Sequence, residues 1–167
     1  MGVTREQLQD GRVLTYLIQQ FIKEPKKENL IRVFRCLRDS NVWIPMNMEL
    51  SKEDEEQFKQ AQKGDTITTK EGIRLRPEVV KGQEGVSYLP VFSRKDEMPK
   101  QFQENNTIVH VSFMECIQIV KRMSHIDEIV LNGYTNGKSI KLDLQYLEAI
   151  EQLPSELTSE KEDNTVK

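Results

Sequence analysis

The residues best suited to chemistry are a cysteine and a histidine six positions apart, Cys116 and His110. Cys116 falls near the start of a predicted helix, where the helix dipole lowers a thiol pKa and favours the nucleophilic thiolate. His110 lies just before that helix and could serve as its base. Strand alternation, however, places His110 on the face opposite Val109 and Val111. We therefore favour a buried structural cysteine beside a strand histidine.

Metal-binding residue types are scarce in this chain, which contains two cysteines and two histidines. Cys36 lies beside the apolar stripe of a predicted helix, which is typical of core packing. His125 follows a helix end, where it can interact with the terminal carbonyls. Because no helical spacing supplies carboxylates next to either histidine, we predict no metal and no other cofactor.

Two asparagine-glycine pairs, Asn132-Gly133 and Asn136-Gly137, are strong turn signals and flank Tyr134. They lack the glycine spacing of a phosphate-binding loop. The segments 45–51 and 132–139 could border a groove at the strand ends, which is where open α/β sheets tend to bind ligands.

Trp43 is the single tryptophan of the chain. We expect it to pack between the predicted second helix, residues 28–40, and the sheet, and the alternative is a recognition anchor on the surface. The candidate ligand or partner groove comprises Trp43, His110, Cys116, Asn132 and Tyr134. No catalytic residue is predicted.

The composition excludes several classes of protein. A length of 167 residues predicts one domain, and 31% charged residues with 37% hydrophobic residues are compatible with folding. The net charge of −3 argues against a generally basic nucleic-acid binder, although five arginines could form a basic face: Arg5, Arg12, Arg32, Arg35 and Arg38. No segment has the length of a signal peptide core or a membrane span. We expect a soluble, cytoplasmic protein.

The first half of the chain alternates helices with weaker strand signals. A capping box of Thr4 and Gln7 predicts a single helix that continues to Lys23, with its first turns weakened by Gly11. A second helix is predicted over residues 28–40. Further elements are a short strand from Val42 to Ile44 ended by Pro45, a polar helix over residues 51–64 and an irregular hairpin within residues 65–85.

Residues 86–153 follow the order strand, helix, strand, helix, strand, turn, strand, helix. The strands are predicted at residues 86–92, 108–111, 129–131 and 140–142, with the second in a central position and the last at an edge. Ser93, Ser112 and Asp143 are the predicted helix caps. The alternation predicts an α/β (α+β) fold, a mixed β-sheet of about five strands with helices packed on it.

These segments divide into three predicted regions. Residues 1–25 form an N-terminal helical extension, residues 26–153 form the domain, and residues 154–167 form a disordered charged tail. The extension carries an apolar stripe at Leu14, Leu17, Ile18 and Phe21.

The order of three stretches resembles the N-terminal domain of the bacterial SseB (enhanced serine sensitivity protein B) family. They are NLIRVFRCLRDSNVWIPM from Asn29, VSYLPVFSRKDEMPKQF from Val86, and the segment from VSFMECIQIV to LDLQYLEAI that begins at Val111. The family usually has Asn-Pro after the third strand, where this chain has Asn132-Gly133. The resemblance implies the α/β fold and implies no particular reaction, cofactor or catalytic residue.

The leading functional hypothesis is a non-enzymatic protein-interaction module that binds a protein partner or forms a homodimer. An exposed apolar stripe on the N-terminal helix would favour burial against another molecule. The alternative is a small-molecule-binding or enzymatic domain that uses the strand-end groove near Cys116 and Asn132. We expect no nucleic-acid and no membrane partner.

Overall fold

The computed structural model describes residues 4–49, 52–60, 74–82, 85–133 and 139–157. In chain order the elements are α1 Arg5–Gln9, α2 Arg12–Lys23, α3 Lys27–Asp39, β1 Asn41–Glu49, α4 Lys52–Gln60, β2 Arg74–Pro77, β3 Val80–Lys81, β4 Ser87–Val91, a 3-10 turn Lys95–Glu97, α5 Lys100–Asn105, β5 Thr107–Ser112, α6 Phe113–Arg122, β6 Glu128–Leu131, β7 Ile140–Asp143 and α7 Leu144–Glu151.

The described strands form two sheets that meet along β1 and β4. One sheet has the order β2-β1-β5 and is antiparallel, and the other has the order β3-β4-β6-β7 with β4 and β6 parallel. Trp43 on β1 and Phe92 after β4 exchange two backbone hydrogen bonds of 2.9 Å, which join the sheets. The mixed α/β fold is confirmed, with seven described strands in two sheets instead of about five in one.

β1 is longer than predicted because it continues through Pro45 to Glu49. Trp43 directs its N–H and C=O toward Phe92, so Pro45, two residues further, directs its nitrogen to the same side and away from β5. The proline therefore removes no hydrogen bond to β5, and its carbonyl accepts a 3.0 Å bond from the N–H of Glu78.

The main core lies where α2, α3, α6 and α7 pack against each other and against the inner faces of both sheets. Its fully buried side chains include Leu37, Ile44, Leu89, Ile117 and Leu131. A second, smaller cluster lies on the other face of β1 and β5, and we call it the outer cluster. It comprises Phe92, Met98 and Phe102, with Trp43, Val80 and Ile108 packed against it.

The N-terminal segment forms two helices, and the prediction of a single helix from Thr4 to Lys23 is wrong. The chain breaks at Gly11, whose φ of +79° is accessible to glycine and costly for other residues. A Cβ at this position would lie 1.9 Å from the carbonyl oxygen of Ser93, so only glycine permits the close approach. The start of α2 is thereby fixed against the end of β4.

The apolar stripe of the N-terminal helices packs within the chain, and the expectation that it is exposed is wrong. Leu8, Leu14 and Ile18 are all less than 4% exposed and belong to the main core. Because it is buried within the chain, this stripe is not available to hold a homodimer together. The domain boundary placed after residue 25 stays a prediction.

The predicted caps at Thr4, Ser112 and Asp143 are confirmed, each accepting a hydrogen bond from a backbone N–H in the first turn of its helix. Ser93 is not a cap, because its side chain joins a buried hydrogen-bond network described below. The described strands β2 and β3 pair with β1 and β4, so the predicted hairpin between them is also wrong.

The segment after α7 is packed against α3 as far as Leu157. The Arg38 side chain donates a 2.8 Å hydrogen bond to the carbonyl of Leu153, and Asp39 accepts one of 2.8 Å from the N–H of Glu156. Arg35 pairs with the Glu156 carboxylate. Disorder was therefore the wrong expectation for residues 154–157, and the remainder of the predicted tail lies outside the described residues.

Candidate functional site

Cys116 and His110 lie on opposite sides of β5 and do not form a catalytic pair. Cys116 is 0% exposed in the main core, where Val109 and Val111 also pack. His110 is exposed on the other face of the strand, which it shares with Ile108 of the outer cluster. Burial raises the pKa of Cys116, which opposes formation of a thiolate. Cys116 is a buried structural cysteine, as the strand alternation predicted.

Cys36 is also buried, and its thiol lies 3.4 Å from the hydroxyl of Ser40. Burial raises its pKa as well, and the nearby Asp39 carboxylate acts in the same direction. Among the described residues, no group of three or more His, Cys, Asp or Glu side chains is arranged to hold a metal ion.

Asn132 lies at the end of β6 in a buried network with Ser93 and Thr15. Its Oδ1 accepts a 2.9 Å hydrogen bond from the Ser93 N–H, and its Nδ2 donates one of 2.9 Å to the Ser93 hydroxyl. That hydroxyl is 2.7 Å from the hydroxyl of Thr15 on α2. The network joins α2 to the carboxyl ends of the parallel strands β4 and β6. The amide of Asn132 is therefore engaged within the protein, and its φ of +56° suits a turn.

A cavity of about 540 Å³ adjoins this network beside α2. Its lining includes Thr15, Ile18, Lys23, Glu97 and Asn132, and it contains neither His110 nor Cys116. Tyr134, the remaining member of the predicted groove, lies outside the described residues. The structure thus places only Asn132 of the predicted set at the strand-end cavity.

Trp43 and His110 form a stacked pair on the outer face of the three-stranded sheet. They are opposite each other in the β1–β5 register, their ring centroids are 4.0 Å apart and their planes differ by 15°. Trp43 packs against the outer cluster, on the face of the sheet away from α3, so the expectation that it packs between that helix and the sheet is wrong. It remains partly exposed, and His110 is exposed beside it. Partial burial lowers the pKa of His110, which favours the neutral imidazole.

Among the described strands, β5 lies at the edge of its sheet, so the prediction that this strand is central is wrong. Because Trp43 directs its backbone groups toward Phe92, the Trp43–His110 pair is not hydrogen-bonded within the β1–β5 ladder. The N–H and C=O of His110 therefore point away from β1, as do those of Ile108 two residues earlier. Within the part of the chain that the structure describes, neither residue's backbone groups have a hydrogen-bond partner.

Two features of the β5 sequence are typical of an edge strand. His110 interrupts an otherwise apolar run. A central strand that is buried on both faces rarely carries a polar, titratable side chain in its middle. The polar residues Thr107 and Ser112 at the two ends are likewise common in an edge strand. We call the outward-facing side of β5 from Thr107 to Ser112 the β5 edge.

Comparisons with known proteins identify the family. The family model described as the SseB protein N-terminal domain matches residues 14–144. No curated protein and no solved structure matches the chain. Within the described residues, no helix is both long enough and apolar enough to cross a membrane. The matched region begins inside α2 and ends at the start of α7, so it covers both sheets and most of the chain. The chain therefore belongs to the SseB family through this N-terminal domain.

Proposed function

We propose that this domain is a non-enzymatic protein-interaction module that binds an extended segment of a protein partner along the β5 edge. The observation that carries the proposal is that the outward backbone groups of Ile108 and His110 have no hydrogen-bond partner among the residues that the structure describes. Their donors and acceptors repeat every second residue, which is the spacing that an added β-strand satisfies.

Edge strands in soluble proteins usually carry features that prevent such pairing. Common ones are proline, charged side chains, a bulge or a very short strand. β5 has six residues, TIVHVS, with no proline and no Lys, Arg, Asp or Glu, and its register with β1 is continuous. The edge is therefore suited to accepting another strand.

Apolar side chains flank the β5 edge on both faces. Ile108 and the Trp43–His110 stack lie on the outer face, and the half-buried Val109 and Val111 lie on the core face. An added strand would place its own side chains next to these groups on both faces. Backbone hydrogen bonds would then supply affinity, and cross-strand contacts would supply selectivity.

The two thiols offer little support for an enzymatic alternative. Cys36 and Cys116 are both buried, and burial raises both pKa values. A nucleophilic cysteine requires the opposite setting, partly exposed and with a lowered pKa.

Two substitutions at one position test the proposal. His110→Ala and His110→Pro both remove the imidazole, but only proline removes the outward N–H and obstructs an incoming strand. The fold should tolerate both, because that N–H does not bond to β1. Immobilised wild-type, alanine and proline forms are incubated with lysate of the source organism, and the retained proteins are compared by mass spectrometry.

We expect proteins that wild type and His110→Ala retain and that His110→Pro loses. Circular dichroism checks that the proline form is folded. If the folded proline form retains the same proteins as the alanine form, binding does not use the β5 edge and the proposal is wrong.

A second candidate function is small-molecule binding in the strand-end cavity. Its volume of about 540 Å³ and its position beside the carboxyl ends of parallel strands favour this use. A panel of polar metabolites should contain compounds that raise the melting temperature of wild type but not of Lys23→Glu, a charge reversal in the cavity lining. If no compound stabilises the wild type, this candidate is rejected.

A further inference from the structure

Resting on the function proposed above, we infer that the β5 edge binds the β5 edge of a second copy of this chain. The two strands would run antiparallel about a two-fold axis through Val109. Antiparallel pairing suits self-association because each strand presents the same donors and acceptors to the other under two-fold symmetry.

The backbone of β5 selects one register. With Val109 on the axis, Ile108 pairs with His110 of the second copy and His110 pairs with its Ile108. Each pair exchanges two backbone hydrogen bonds, about four in all, and every outward group of Ile108 and His110 is satisfied.

A shift of one residue would place His110 on the axis and pair Ile108 with Ser112. Ser112 is the N-cap of α6, and an N-cap carbonyl already accepts the first hydrogen bond within its helix. The shifted register therefore leaves the outward N–H of Ile108 without this acceptor. Only the register centred on Val109 therefore pairs every outward group of Ile108 and His110.

Side chains agree with the same register. Val109 would face Val109 of the second copy, and Thr107 would face its Val111, so that all the core-face pairs are β-branched. On the outer face, the isoleucine of one copy would lie beside the Trp43–His110 stack of the other. Because β5 carries no Lys, Arg, Asp or Glu, the pairing opposes no fixed like charges.

Single cysteines on β5 test this register. Val109→Cys would place two thiols across the axis in a non-hydrogen-bonded pair, where the Cα atoms are about 4.5 Å apart and a disulfide can form. Val111→Cys is the matched control, since it lies on the same face, is half-buried like Val109, and would face Thr107 instead of itself. The native thiols are buried, so unsubstituted protein shows the background.

The purified full chains are oxidised mildly, and the covalent dimer is measured on non-reducing gels. We expect about tenfold more covalent dimer from Val109→Cys than from Val111→Cys, because only the first pair meets disulfide geometry. The double variant Thr107→Cys/Val111→Cys should also cross-link, which keeps the test valid if Val109→Cys fails to fold.

Light scattering over a concentration series completes the test. We expect wild type and His110→Ala to dimerise as concentration rises, and His110→Pro to remain monomeric. Two results would overturn the inference. One is equal cross-linking of the two single variants. The other is a wild type that stays monomeric while neither Val109→Cys nor the double variant cross-links. If these results reject self-pairing, the lysate experiment still decides the proposed function. That function stands if the wild type and His110→Ala retain other proteins that His110→Pro loses.

Discussion

Two glycines with nearly the same backbone conformation provide a controlled test of how α2 is attached. Gly11 and Gly85 have φ values of +79° and +78°. A Cβ added at Gly85 would meet no atom within 4 Å, whereas one added at Gly11 would lie 1.9 Å from the Ser93 carbonyl oxygen. Substitution by alanine therefore imposes the same backbone strain at both positions and a steric clash at only one.

The magnitudes follow from these two contributions. A left-handed backbone costs an L-residue about 1–2 kcal/mol, and the lower entropy of the unfolded chain offsets about 0.4–1 kcal/mol of this. Gly85→Ala should therefore lower the free energy of unfolding by about 1 kcal/mol. At Gly11 the clash is with backbone, so α2 must move by about an ångström or more. Such overpacking adds about 1–3 kcal/mol, and loss of the hydrogen bond between the Thr15 and Ser93 hydroxyls adds about 1 kcal/mol.

Gly11→Ala should thus lower the free energy of unfolding by about 3–5 kcal/mol, well beyond the effect of Gly85→Ala. Urea denaturation followed by circular dichroism measures both values against wild type. If the two variants differ by less than about 0.5 kcal/mol, which is within ordinary error, α2 does not approach Ser93 as described and the reasoning is refuted.

Three further predictions concern buried groups and the C-terminal segment. Asn132→Ala should cost about 2–3 kcal/mol of stability because it leaves buried hydrogen-bond partners unsatisfied. Asn132→Gly should cost less because glycine relieves the strain of the positive φ. Urea denaturation measures both variants, and the reverse order of stability would contradict this prediction. Cys36 and Cys116 should react with a thiol reagent at pH 8 about a hundredfold more slowly in folded than in unfolded protein, and rapid labelling of the folded chain would contradict their burial. A chain ending after Leu153 should be about 2 kcal/mol less stable than one ending after Leu157; equal melting curves of the two would show that the packed segment contributes nothing.

Local signals in the sequence predicted the helix starts well. The capping residues Thr4, Ser112 and Asp143 act within their own first turns, so the information lies within a few residues. The break at Gly11 was missed because its cause is a contact with Ser93, which is distant in the chain. A single sequence gives no direct indication of that contact.

The candidate site was only partly predictable for the same reason. Strand alternation correctly separated His110 from Cys116. The stacking of His110 on Trp43 depends on the register between β1 and β5, and local patterns do not specify which strands become neighbours. The composition of β5 could be read from the sequence, whereas its place at the edge of the described three-stranded sheet depends on which strands pair.

The open edge of β5 can be measured directly by amide hydrogen exchange. In a dilute sample, the account predicts fast exchange for the outward amides of Ile108 and His110 and slow exchange for those of Val109 and Val111, which bond to β1. Protection of the first pair should rise with protein concentration or with an added partner. Equal, concentration-independent protection of all four amides would contradict the account, because it would show that the chain itself covers this edge.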